Sequence, residues 1–290
     1  MTEPGLVVVD KPGAMTSHDV VAQVRRLAGT RKVGHAGTLD PMATGVLLVG
    51  VGQATRLLGH LTLTEKVYDA TIRLGAATTT DDAEGEVVST GSVQLLTEDD
   101  VRSAAGAFVG ELEQQPSAVS AVKVDGKRAY ARVRAGERVD LPTRRVNVHE
   151  LVVGEVRPGP DHVDLDVSLR CSSGTYVRAI ARDLGRELGP GGHLTALRRT
   201  AVGPFTLDDA KSLDDLAAHF DVLPMADVAR RCFASYQLSE EQAVDVGFGR
   251  KIEADLGAEG PVALLTSDGR FLALYEQRGD LAAAVAVFAS

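Results

Sequence analysis

The sequence predicts an α+β fold, and three observations point to it. Strand-like and helix-like patterns follow one another at irregular intervals rather than in a repeated βαβ wind. Two segments alternate as half-buried strands do: Tyr68, Ala70, Ile72 and Leu74 against Asp69, Thr71 and Arg73, then Val163, Leu165, Val167, Leu169 and Cys171 against Asp164, Asp166, Ser168 and Arg170. Near Cys232 the pattern resets, and residues 233–290 read as a small, mostly β appendage.

Taken in order, residues 6–9 form a buried strand closed by the Lys11-Pro12-Gly13 turn. Thr16 or Ser17 caps a helix with Asp19 in its first turn, an apolar face of Val20, Val21, Val24, Leu27 and Ala28, and Gly29 as its stop. Residues 30–44 read as a Gly/Thr-rich loop, 45–51 as an apolar strand and 54–63 as a second short helix. A helix is expected over 97–109, and a Pro-bounded basic excursion over 115–148 that ends in a strand at Val146 and Val148. Behind the second alternating strand, a Ser172-Ser173-Gly174-Thr175 turn opens a helix that runs to Leu188. In the appendage, Ser239 caps a short helix closed by Gly247, and Ser267-Asp268-Gly269-Arg270 sits between apolar runs as a hairpin turn does.

A chain of 290 residues fits one large domain plus a small one. Hydrophobic residues at 44% and charged residues at 24% exclude a disordered or fibrous protein. No apolar run approaches the roughly 20 residues of a membrane span, and the first residues lack the basic cluster of a signal peptide. With only Cys171 and Cys232, a disulfide framework is excluded and a cytoplasmic location is expected. No tryptophan and 4% aromatics weigh against base-stacking platforms.

A net charge of −9 argues against a nucleic-acid partner until its distribution is read. Residues 81–113 hold nine acidic side chains against one basic, and residues 207–290 fifteen against seven, which leaves +7 for the rest. The densest basic run, 123–145, contains Lys123, Lys127, Arg128, Arg132, Arg134, Arg138, Arg144 and Arg145. It reads either as a solvated face or as the footprint of a polyanion on a protein acidic elsewhere.

No histidine or cysteine spacing recommends a metal. Gly50-x-Gly52-x-x-Thr55 follows a strand and precedes a helix, a partial dinucleotide fingerprint with Thr at its third position and no evident βαβ unit. The stronger constellation is residues 34–45, where three glycines and a proline fix a loop around one carboxylate, Asp40. Asp before Pro is also an ordinary turn starter, and Tyr68 an ordinary core tyrosine. Arg178, at the opening of a helix, completes a set of acid, phenol and fixed cation suited to covalent or acid/base chemistry without a cofactor.

The loop Gly34-His35-Ala36-Gly37-Thr38-Leu39-Asp40-Pro41-Met42-Ala43-Thr44-Gly45 resembles the catalytic-loop motif of the bacterial tRNA pseudouridine-55 synthases, the TruB family. The resemblance continues in family order through residues 10–17, 66–68, 116–123, 173–178 and 192–199. It implies a pseudouridine synthase core with a mixed, largely antiparallel sheet over residues 1–232. A basic RNA-gripping thumb over 115–148 and a PUA-like β domain over 233–290 complete the expected organisation. The implied reaction isomerises uridine 55 in the T-loop of tRNA, the base leaving through N1 and returning through C5, with neither cofactor nor metal.

By the same resemblance Asp40 is the catalytic aspartate, Arg178 its partner and Tyr68 the tyrosine against the target base. His35 fills the space that the flipped uridine vacates, and Tyr176 and Leu197 line the uracil pocket. Lys123, Lys127, Arg128 and Arg132 are the thumb's expected contacts to the T-arm, with the enzyme acting as a monomer. Lys11 and Pro12 support the catalytic loop. A nucleotide-dependent enzyme using Gly50 to Thr55 is the rival enzyme reading. A non-catalytic RNA-binding or RNA-chaperone module is the rival from another class, and a tRNA-folding role beside catalysis stays open.

Overall fold

In a computed structural model, residues 3–62, 64–117, 123–124, 127–128 and 142–288 are described. Strand β1 (Gly5–Lys11) leads into α1 (Ser17–Ala28), β2 (Val33–Ala36) and β3 (Thr44–Val51). A 3-10 turn over Gly52–Arg56 and one helical turn, α2 (Leu58–Leu61), precede β4 (Lys66–Leu74), β5 (Ala76–Thr78) and β6 (Val87–Thr90). Helix α3 (Glu98–Gly106) and β7 (Gly110–Gln114) follow, and β8 (Lys123–Val124) pairs with β9 (Lys127–Arg128) inside the basic excursion. Then come β10 (Arg144–Pro158), β11 (Val163–Cys171), α4 (Val177–Leu188), β12 (Gly192–Val202), β13 (Phe205–Thr206), α5 (Leu213–Ala218), β14 (Leu223–Pro224) and α6 (Met225–Cys232). The last part holds β15 (Ser235–Gln237), α7 (Glu240–Gly247), β16 (Ile252–Glu253), β17 (Val262–Leu265), β18 (Phe271–Arg278) and β19 (Leu281–Val287).

The main sheet runs β14-β1-β3-β12-β4-β11-β10-β7, with β2 also on β3 and β13 on β12. All of its pairings are antiparallel except β12 with β3, so the expected mixed, largely antiparallel α+β sheet is present. Alternate residues of β1 and β3 feed two cores. Val7, Val9, Leu47 and Val49 join α1 and α4 on one face, while Leu6, Val8, Val46 and Leu48 join α2 and α6 on the other. Ala263, Leu265, Phe271, Leu274 and Phe288 of the C-terminal part belong to that second core. The five-stranded sheet β15-β17-β18-β19-β16 therefore shares apolar packing with the main sheet besides having a core of its own.

Helix ends follow the local chemistry. Thr16 caps α1 in a reciprocal box with Asp19, and Gly29 ends it at φ 62°. Thr97 with Asp100 and Ser239 with Gln242 form the same box at α3 and α7. The hairpin between β17 and β18 turns over Thr266 to Arg270, as expected.

Two expectations are corrected. Residues 33–36 are not loop but β2, because Val33 and Ala36 are buried and the strand pairs with β3 through His35↔Val49. Residues 54–63 are not one helix. The chain rolls tightly over Gly50, whose missing side chain admits the Ala54 carbonyl at 2.9 Å from where a Cβ would be, and the first turn is 3-10. β12, central in the sheet between β3 and β4, carries no clean alternation in the sequence, and two bulges interrupt its pairing with β4.

Candidate active site

Residues 37–43 bridge β2 and β3, and the fold holds this loop from both sides. Ser17, 1% exposed, accepts the Leu39 N–H at 2.9 Å and donates to the Leu39 carbonyl at 3.1 Å. Lys11, fully buried, donates its Nζ to the carbonyls of Pro12, Met15 and Pro41 at 2.8, 2.6 and 3.3 Å. Burial lowers its pKa to about 8, with the charge of Asp40 pulling the other way. Its role here is to tie the turn before α1 to the Asp40 loop.

The loop delivers Asp40 to a cleft of about 500 Å³, lined also by Lys66, Tyr68, Arg144, Tyr176, Arg178, Leu197 and Arg199. Arg178, second residue of α4, places Nε 3.0 Å from Asp40 Oδ2 and Nη1 3.3 Å from Asp82 Oδ2. Its Nη1 also donates to the Thr80 carbonyl at 2.9 Å. Asp82 is 2% exposed and accepts the Glu84 N–H and the Thr80 hydroxyl. Burial raises the Asp40 pKa above the usual carboxylate value, Arg178 opposes the rise and Asp82 adds to it. The result is a carboxylate at the cleft, held by a cation that is itself fixed from behind.

Tyr68 lies on the inward side of β4, 7% exposed, and burial raises its phenol pKa against the pull of Arg199. Arg199, 1% exposed, donates from Nε to the Val46 carbonyl at 2.7 Å and from Nη2 to the Gly37 carbonyl at 2.9 Å. Lys66, on the same side of β4 as Tyr68, donates to the Thr62 and Thr64 carbonyls, and burial beside Arg199 lowers its pKa to about 8. Arg199 thereby ties Gly37, at the start of the loop, and Val46, in the strand that follows it, to β12.

Of the sequence-derived candidates, Asp40, Tyr68, Tyr176, Arg178 and Leu197 meet in this cleft. His35 does not line it: it sits on β2 with its ring edge-on to His18 at 5.4 Å between centroids. Lys123, Lys127 and Arg128 fall on the β8–β9 pair, of which only the backbone is described, and Arg132 lies outside the described residues. Residue-level reading assigned no role to Lys66, Asp82 or Arg199. Lys66 shares the two-residue period of Tyr68, a signal that was available, whereas nothing local marks Asp82 or Arg199 as buried. The partial dinucleotide fingerprint has a packing explanation, since a Cβ on Gly50 would meet Ala54 and Leu58 and one on Gly52 would meet Pro4. The strand before it pairs antiparallel with both β1 and β2.

Residues 25–177 match the family described as TruB family pseudouridylate synthase (N terminal domain). The chain belongs to the TruB family. Residues 178–227 and 233–289 match the two C-terminal families described for tRNA pseudouridylate synthase B and tRNA pseudouridine synthase II. A protein of Thermobifida fusca (strain YX) named tRNA pseudouridine synthase B is 57% identical over 289 residues, covering 98% of each chain. Another of that name from Arthrobacter sp. (strain FB24) is 55% identical over 295 residues, covering 98% of this chain and 96% of its own. Among solved structures, a chain of a Cbf5-Nop10-Gar1 complex aligns with a TM-score of 0.74 at 26% identity, over 98% of this chain and 84% of that one. This TruB-family member is thus a pseudouridine synthase with a C-terminal part that its relatives also carry. Among the described residues no helix is long and apolar enough to cross a membrane.

Proposed function

We propose that the chain converts uridine 55 in the T-loop of tRNA to pseudouridine, with Asp40 as the catalytic carboxylate. The contact between Arg178 and Asp40 carries this reading: a guanidinium 3.0 Å from the carboxylate favours its charged form against the burial that raises its pKa. An ionised carboxylate attacks or shields a reactive carbon and leaves again, as an isomerisation that detaches a base at N1 and rejoins it at C5 requires. The relatives' name, tRNA pseudouridine synthase B, supports tRNA as the substrate class.

The remaining roles are those that the family resemblance implies. Tyr68 lies against the base, and Tyr176 and Leu197 form walls of the pocket that receives it. Extracting the uridine from its stack costs a few kcal/mol, which RNA contacts must offset. His35, on the strand feeding the Asp40 loop, takes up the vacated space. The basic excursion, residues 115–148 within a catalytic domain of residues 1–232, grips the T-arm through Lys123, Lys127, Arg128 and Arg132. RNA of this kind is held by shape and phosphate contact. Residues 233–290 form a PUA-like domain, and the enzyme acts as a cytoplasmic monomer without cofactor.

Incubating an unmodified tRNA transcript with the protein alone and mapping pseudouridine tests the proposal. One new pseudouridine in the T-loop is the expected result. No pseudouridine, or modification only at other positions, would overturn it.

A further inference from the structure

Gln114 is the last residue of β7, where the chain leaves the main sheet for the basic excursion. It is 3% exposed, and a buried carboxamide costs free energy unless its polar atoms are paired. Both ends of this one turn to the backbone of a single residue. Gln114 Oε1 accepts the Tyr176 N–H at 3.0 Å, and Nε2 donates to the Tyr176 carbonyl at 3.4 Å. Tyr176 is the N-cap of α4, a position that here has no side-chain cap of its own and no acidic residue in the turn that follows. The same residue walls the cleft and stands two positions before Arg178.

A second tie lies three residues on. Ser117, 1% exposed, donates to Asp81 Oδ2, which Arg182 of α4 meets at 3.2 Å, and Arg182 also donates to the Gln115 carbonyl at 2.9 Å. Asp81 precedes Asp82, the residue behind Arg178. The foot of the excursion is therefore bonded to both ends of the network that aims the guanidinium. The charges that act on the Tyr176 phenol are those of Arg144, the β10 residue opposite Gln114 of β7, Arg178 and Asp40.

We propose that Gln114 is a positioning residue: its carboxamide holds the Tyr176 backbone at the start of α4, so that the cleft wall and Arg178 stay set against Asp40. The inference rests on the isomerase reading above. It differs from a packing role, which any apolar side chain of equal volume would fill.

Gln114→Met keeps the volume and removes both bonds, and Gln114→Glu keeps the acceptor for the Tyr176 N–H. The measurements are the single-turnover rate of pseudouridine formation on saturating unmodified tRNA, the Kd for that tRNA and the thermal midpoint. The expected result is a Gln114→Met rate at least tenfold below wild type, with Kd within twofold and the fold intact, and a Gln114→Glu rate between the two. An active wild type with an equally fast Gln114→Met would overturn the clamp alone. So would a loss that appears wholly in Kd or in the thermal midpoint, or a Gln114→Glu no faster than Gln114→Met. A wild type that forms no pseudouridine would overturn the isomerase reading and with it the purpose of the clamp.

Discussion

Arg178 and Asp40 meet at 3.0 Å from opposite environments: the arginine side chain is 6% exposed and the aspartate 37%. The cation is part of the protein interior, braced by Asp82 and the Thr80 carbonyl, while the carboxylate faces the cleft. Such a pair keeps its geometry when solvent leaves, because the groups fixing the guanidinium are already desolvated. Anything that enters the cleft therefore meets more of the carboxylate than of the cation.

Asp40→Asn keeps size and loop geometry while removing the charge. Turnover is expected to vanish and tRNA binding to persist, as read by pseudouridine mapping beside a binding isotherm. Because burial raises the folded-state pKa, the charged carboxylate costs stability above that pKa, and the cost fades as pH falls toward the unfolded value. The Asn variant should therefore melt no lower than wild type at neutral pH. A lower midpoint there would mean that the Arg178 contact outweighs desolvation.

The same shift sets an acid limit on activity. If Asp40 is the catalytic carboxylate, only its ionised form serves, and because burial raises its pKa above the ordinary 3.8 the rate should begin to fall at a pH higher than an exposed aspartate would allow. Single-turnover rates on prebound tRNA, taken from pH 7 downward, read the limb directly. A rate that holds steady below pH 4 would contradict it.

Arg178→Met asks what the cation does for the fold. Asp82, 2% exposed, would keep its bonds to Thr80 and Glu84 but lose its nearest positive charge. Breaking a buried pair from one side costs about 3–5 kcal/mol, and this variant should show a loss of that order in denaturant titration. Asp82→Asn in the same background should restore part of it, because the stranded charge is then gone.

What the sequence made legible and what it hid separate along one line. β4 and β11 were readable because one face of each is apolar and the other polar, a property of the residues themselves. β12 was not, since the burial of Arg199 depends on carbonyls of Val46 and Gly37 more than 150 positions away. Asp40 stood out through its glycines and proline, yet Asp82 looked like one more acid in an acidic stretch until Arg178 was placed beside it. The C-terminal appendage was visible as a change of pattern. That Phe271 and Phe288 share a core with Leu6 and Leu48 was not, because neither segment carries a local trace of the other.

Lys127 and Arg128 form one strand of the β8–β9 pair, in the densest basic run of an otherwise acidic chain. If they meet phosphates, replacing both with Gln releases fewer counterions on binding. The slope of log K against log salt should flatten by about 1–2 units, with affinity falling most at low salt. An unchanged slope, measured over the same salt range, would remove this run from the RNA interface.

The loop's exit is its most sterically restricted point. Gly45 adopts φ 98°, and a Cβ there would stand 2.2 Å from the Arg199 carbonyl oxygen, at the parallel register of β3 with β12. Backbone cannot yield as a side-chain tip can, so Gly45→Ala must part the two strands that carry Asp40 and Arg199 to the cleft. Strain at positive φ together with overpacking should cost about 2–4 kcal/mol and depress turnover through displacement of both residues. Gly106→Ala is the control. It ends α3 with nothing within 4 Å of the new Cβ and no positive φ, so it should be neutral or gain up to about 1 kcal/mol. Equilibrium unfolding of the two variants side by side separates a steric demand at Gly45 from a general intolerance of added methyl groups, and equal behaviour would refute the demand.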